Sequence, residues 1–178
     1  MKLSITKYWV LPLNGGILSI IGLFIPVWYS STGFRETLWM WGMIHHITGG
    51  DVFEILPSEL FIPGLIAAIL ILLSSIVVII FALLVATGKA IQGKAEKIWK
   101  IVGLFEIGIA VFYVIAMLIG WNLFALRINY AVHNFWRIYN VHIGMFTPFI
   151  GAALSISGGV VGKRKIKDIN KKKLESQI

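Results

Sequence analysis

The chain contains no cysteine. Disulfide staples, thiol redox chemistry, thiolate metal sites and covalent haem attachment are excluded together, so exposed loops must be held by packing and hydrogen bonds. Charge is also scarce. Asp, Glu, Lys and Arg make up 13% of the 178 residues, about half the share in a soluble domain. Acidic residues number 8 against 16 basic ones, and hydrophobic residues reach 58%. A soluble domain of this size has too little interior to hide that much apolar surface, whereas a bilayer removes the need. The composition predicts an all-α integral membrane protein in a single domain.

Four apolar runs, at 8–28, 61–86, 101–121 and 143–162, are long enough for the roughly 20 helical residues that cross a bilayer core. They predict a four-transmembrane-helix bundle. The first run follows a basic start, Lys2 and Lys7. No small-x-small cleavage site follows it, so it is read as a retained span rather than a signal peptide. Pro12 and Asn14-Gly15-Gly16 weaken it locally. In the second run Pro63 is expected in the first helical turn, where a proline costs no hydrogen bond. The third contains Glu106. In the fourth, Thr147, Gly151, Ser155 and Gly159 fall four apart and form a small-residue stripe suited to close helix packing.

All basic residues except Arg35, Arg127 and Arg137 lie in the start, the 87–100 connection or the tail at 163–178. The positive-inside rule then places both termini in the cytoplasm of a multi-pass cell-membrane protein. The net charge of +8 is a topology signal first and an anionic-lipid contact at the basic cytoplasmic face second. No repeating aromatic–basic interleaving pattern marks that basic face, so no nucleic-acid partner is expected.

The outer loops are then 29–60 and 122–142. The first carries Glu36, Asp51, Glu54 and Glu59 with Arg35 alone, and the second carries Arg127 and Arg137. Their opposite charges favour contact, giving a small extracellular cap. Residues 37–41 suit a strand, so the cap is expected to hold a short β-sheet in the first loop. In the second loop Leu126, Tyr130, His133 and Arg137 recur at helical spacing, which predicts that the third span continues above the membrane. Trp28, Tyr29, Trp39, Trp41, Trp121, Tyr130, Trp136 and Tyr139 gather on the outer side, with Tyr8, Trp9 and Trp99 on the inner, as an aromatic belt.

Few residues offer chemistry. Glu106 is an intramembrane carboxyl, expected one to two turns inside its span. Lys97, Lys100, Asn14 or the Gly15-Gly16 backbone lie within its expected reach. Its two readings are a structural hydrogen bond and a proton or ion path. His45, His46, His133 and His142 fall on the outer side with Asp51, a ligand set of the type that binds copper or zinc. Neighbours on a strand face opposite ways, so His45 and His46 cannot both turn inward. No metal or other cofactor is expected, and no nucleophile–base or paired-carboxylate arrangement points to an enzyme.

Residues 26–42 (PVWYSSTGFRETLWMWG) leave the first span with Trp28 and then Leu38-Trp39, a W-x9-LW pattern. With four spans, inner termini and a larger first loop, this resembles the claudin and peripheral-myelin-protein superfamily. The Gly- and Ala-rich fourth span (GAALSISGGVVG) is similar too. The resemblance implies that Trp28, Leu38 and Trp39 pin a small first-loop sheet to the top of the bundle. Where the family continues with two disulfide-bonded cysteines, this chain reads Met40-Trp41-Gly42-Met43. The resemblance implies a non-enzymatic tetraspan protein acting in membrane organisation or cell–cell adhesion through lateral or head-to-head association. Two alternatives stay open: an accessory subunit of a larger membrane complex (channel, transporter or respiratory or oxidase assembly), and an outer-face metal-binding protein or enzyme. The partners expected are the lipid bilayer and either further copies of the chain or other membrane-protein subunits.

Overall fold

The computed structural model describes residues 7–30, 35–47, 52–90, 93–128, 135 and 139–175, with the backbone alone at 169–174. The chain is mostly helical, with a small antiparallel sheet at one end. Helices α1 (Val10–Leu23), α2 (Ser58–Ala86), α3 (Lys94–Arg127) and α4 (Thr147–Glu175) pack in a ring, α1 against α2 and α4, and α3 against the same two. Among the described residues, three helical stretches, α2, α3 and Ile143–Asp168, are long and apolar enough to cross a membrane. Their outward faces are rows of exposed apolar side chains, such as Ile62, Ile66, Leu73 and Ile80 on α2 and Leu104, Phe105, Phe112 and Ile119 on α3. Polar Ser19, Ser74, Ser75, Glu106 and Ser155 are buried inside. This inverts the soluble pattern.

α1 differs from the expected span at 8–28. It has 14 residues, about 21 Å of rise, and stops before Pro26, whose restriction of the preceding residue opposes helix. Trp28 lies instead on a strand. At the other end of the molecule, α4 runs on as helix through the basic segment to Glu175.

Close backbone approach holds the ring. Gly15 of α1 lies against Gly151 and Ser155 of α4, while the next residue, Gly16, lies against Ser75 and Ile79 of α2. The glycine pair that weakens α1 locally is thus where two neighbours cross it. Of the stripe on α4, Thr147, Gly151 and Ser155 face α1, but Gly159 faces Glu96 and Lys100 of α3. At 100° per residue, a step of four drifts by about 40°, so three steps carry the stripe round to the next helix. Gly158 keeps the α1 contact, against Pro12. Pro63 lies in the second turn of α2, not the first. Lacking an N–H, it leaves the Glu59 carbonyl without its helical donor, and the Gly120 backbone of α3 comes against that oxygen.

Among the described residues, five strands form one antiparallel sheet of order β4-β3-β2-β1-β5: β1 (Trp28–Ser30), β2 (Glu36–Leu38), β3 (Met43–His46), β4 (Val52–Ile55) and β5 (Tyr139–Val141). The first loop supplies four strands, and the second supplies β5 beside β1, with Trp28 opposite both Leu38 and Val141. A strand here corrects the helical reading of the second loop in part. α3 does continue past Trp121 to Arg127, while Tyr130, His133 and Arg137 lie outside the described residues. Arg127 then pairs with Glu59 at 2.8 Å, joining the ends of α3 and α2.

Replacing Gly151 by leucine drives a side chain into the Gly15 carbonyl and the Ser19 hydroxyl. The expected loss is about 1–3 kcal/mol, read as a lowered thermal midpoint in detergent. An equal substitution at exposed Val160 should leave the midpoint unchanged.

Candidate functional site

The sheet is fastened to the helices by its aromatics. Trp28 is 1% exposed. Its indole N–H donates to the Tyr113 hydroxyl of α3 at 3.1 Å, and its ring meets Phe135 edge-on at 5.0 Å. It is a core residue rather than a member of a lipid-facing belt. Buried Trp99 likewise lies in the core near Tyr8. Leu38 is buried beside Trp28, and its carbonyl accepts from the Val27 N–H at 2.7 Å. The Trp39 indole donates to the Phe24 carbonyl at 3.1 Å, and the Trp41 indole to the Leu23 carbonyl at 2.9 Å. Both oxygens belong to the end of α1, where a helix leaves carbonyls without intrahelical partners. The tight turn carrying Trp41 needs Gly42 at φ 89°, open to glycine at little cost. It rests on α2 because Gly64 has no Cβ to strike the Met40 carbonyl.

Above these anchors, the side chains of Glu36, His46 and Tyr139 share one face of the sheet. The Tyr139 hydroxyl donates to Glu36 Oε2 at 2.7 Å, and His46 Nδ1 lies 3.0 Å from Glu36 Oε1. His46 Nε2 also approaches Glu54 at 3.7 Å. One carboxylate thus ties β2 to β3 and to β5. No protein-family model and no characterised protein matches the chain in sequence.

The histidines do not converge. His45 and His46 turn to opposite faces of β3. His45 stacks on Phe53 at 4.3 Å, and His142 Nδ1 lies 3.0 Å from the Pro26 carbonyl. Asp51 and His133 lie outside the described residues. Among the described residues no three His, Asp or Glu side chains group to hold a metal ion.

Among the described residues, strand β4 is one of the two edge strands of the sheet, beside β3, and all four of its residues are exposed. Phe53 is 57% and Ile55 69% exposed, with Val52 also outward. An exposed apolar edge strand presents unpaired N–H and C=O groups together with side chains that favour burial. Its only charged residue is Glu54.

Glu106 is fully buried where α1, α2 and α3 meet. Its Oε1 accepts from Ser74 at 2.9 Å and Ser75 at 3.0 Å, and its Oε2 faces the Ser19 hydroxyl at 3.4 Å. Neither the lysines nor Asn14 reach it, which corrects the expected partners. It also lies deeper than expected, level with the middle of α2. Ser74 lies 2.9 Å from the Ile71 carbonyl as well. A hydroxyl carries one hydrogen, so Ser74 either donates to the carboxylate or donates to Ile71 and accepts from a carboxylic acid. The network satisfies both protonation states. The signal available in the sequence was the pair Ser74-Ser75 in the middle of an otherwise apolar run.

Two outcomes follow. Glu106→Leu removes the acceptor shared by three helices and should cost about 1–3 kcal/mol, while Glu106→Gln recovers most of it in thermal unfolding. In the cap, burial first, and then the bond to and charge of Glu36, push the Tyr139 phenol above its usual range. The folded state therefore favours the neutral phenol. Its stabilisation is complete below the free tyrosine value near pH 10 and is lost as pH rises through the higher folded value. Tryptophan fluorescence of the cap should show this alkaline loosening, and Tyr139→Phe should remove it.

Proposed function

We propose that the chain is a non-enzymatic membrane protein that crosses the bilayer four times and associates with copies of itself through the edge of its cap. In this reading it serves membrane organisation or cell–cell adhesion. The observation that carries it is β4, an edge strand with Val52, Phe53 and Ile55 exposed. Strand addition at such an edge satisfies backbone groups and buries apolar side chains in one step. α1, with Tyr8-Trp9 before it and residues 24–27 after it, is the fourth crossing; a short apolar helix is accommodated by local bilayer thinning. Both termini are then cytoplasmic, on the side of the lysines of the α2–α3 connection and of α4.

The resemblance to the claudin and peripheral-myelin-protein superfamily is supported by the positions of its three signature residues. Trp28 and Leu38 are buried under the sheet, and Trp39 is bonded to the end of α1. Where that family uses a disulfide, the Trp41 bond to Leu23 and the Glu36 ties hold this cap. Glu106 acts as a structural tie among helices.

Mass measurement of the chain purified in mild detergent tests the proposal. The native chain is expected as a homo-oligomer, and Ile55→Lys as a monomer with an almost unchanged thermal midpoint, since exposed substitutions shift stability by about 0.5 kcal/mol or less. A native monomer overturns the proposal. A foreign protein at fixed stoichiometry overturns it in favour of an accessory subunit.

A further inference from the structure

At the end of the bundle away from the sheet, a cleft of about 340 Å³ opens between α3 and α4. Its volume is at the lower end of the small-ligand range, roughly 300–1,000 Å³. It is lined by Lys97 and Lys100 of α3, Lys163 and Ile166 of α4, and by Gly93 and Glu96. Lys97 and Lys100 are three apart and so share a helix face. Lys163 stands one turn beyond Gly159, whose missing Cβ lets the Lys100 stem lie against α4; a Cβ there would come within 2.7 Å of Lys100 Cγ. Among the described residues none of these three lysines has an ion-pair partner.

Glu96, the one acid of the cleft, is already engaged. It is 2% exposed, with Oε1 accepting from the Tyr8 hydroxyl at 2.8 Å and Oε2 from the Gly93 N–H at 2.8 Å. Among the described residues, the cleft therefore keeps a net positive charge. Its position matters as much as its sign. Exposed apolar surface begins on α3 at Ile101, immediately after Lys100, and on α4 it reaches Val160 and Val161, two positions before Lys163. The lysines thus sit where a bilayer's hydrocarbon gives way to its head groups, and their stems with Ile166 form an apolar wall.

From this geometry we propose that the cleft binds the phosphate of one anionic phospholipid, its acyl chains lying along the exposed faces of α3 and α4. A lipid fits better than a free phosphate because the ammonium groups and the exposed apolar surface are contiguous. The basic segment beyond Lys163 attracts anionic lipid diffusely, whereas the cleft holds one molecule. This inference is independent of self-association through β4 and of which leaflet the cleft meets.

The test is amine-reactive footprinting of the full native chain in nanodiscs of phosphatidylcholine, with and without phosphatidylglycerol in both leaflets. Phosphatidylglycerol is expected to reduce labelling of Lys97, Lys100 and Lys163 by on the order of tenfold, while Lys171, Lys172 and Lys173 change little. Uniform protection of all six, or none, overturns the proposal. Inorganic phosphate added to the phosphatidylcholine discs should leave the three cleft lysines reactive; protection equal to that by phosphatidylglycerol overturns the lipid assignment. Native mass spectrometry supplies a second measurement. The K97R/K100R/K163R variant should retain a bound phosphatidylglycerol and K97Q/K100Q/K163Q should lose it, whereas loss of the lipid from the arginine-substituted chain overturns the proposal.

Discussion

The short first helix ends with two carbonyls that its own backbone cannot satisfy, and much of the architecture follows from how they are met. Where water is scarce an unpaired carbonyl costs several kcal/mol. Trp41 and Trp39 supply the donors for Leu23 and Phe24. Those indoles also fix the β2–β3 turn over α2, and that turn orients the sheet. With Trp28 seated on Tyr113 and Leu38 buried beside it, the sheet is held to the helices on two sides. Its edge at β4 is left projecting.

Within the bundle the same accounting applies to side chains. Helices in lipid gain little from burying leucine against leucine, so they associate through close approach and polar contact. Here the two coincide. α1 meets α2 and α4 at Gly15 and Gly16, and one turn further on Ser19 reaches Glu106, which also gathers Ser74 and Ser75. Small residues bring the backbones near enough for a short hydroxyl to reach a carboxyl on another helix.

What could be read from the sequence follows from which interactions are periodic. The long helices were legible because uninterrupted apolar runs have one physical explanation. Strand character in the first loop was legible from β-branched and aromatic residues, but only Thr37 and Leu38 of the expected 37–41 strand lie on β2, and Met40 to Gly42 form the turn; a cap made by both loops was legible from their opposite charges. β5 was not, because Tyr139-Asn140-Val141 is too short to show alternation and becomes a strand only when β1 lies beside it. The end of α1 was placed too late because hydropathy continues through residues 24–28, although Pro26 marked the break. Trp28 and Trp99 were read as interfacial because composition does not distinguish an aromatic facing lipid from one facing the bundle. The partners of Glu106 depend on matching depths in three separate runs, which no local pattern records.

The pairing of β1 with β5 also governs the order in which the molecule can be made. Tyr139 and Glu36 are 103 positions apart, so the strand that completes the sheet emerges only after α2 and α3. Contacts of such separation form late. Until then the nascent chain carries β1 as a second open edge, opposite β4, close to other chains being inserted. With no cysteine to lock the first loop early, protection of that edge rests on the speed with which β5 arrives. The interval before β5 docks is when a growing chain is most exposed to pairing with a neighbour in the wrong register.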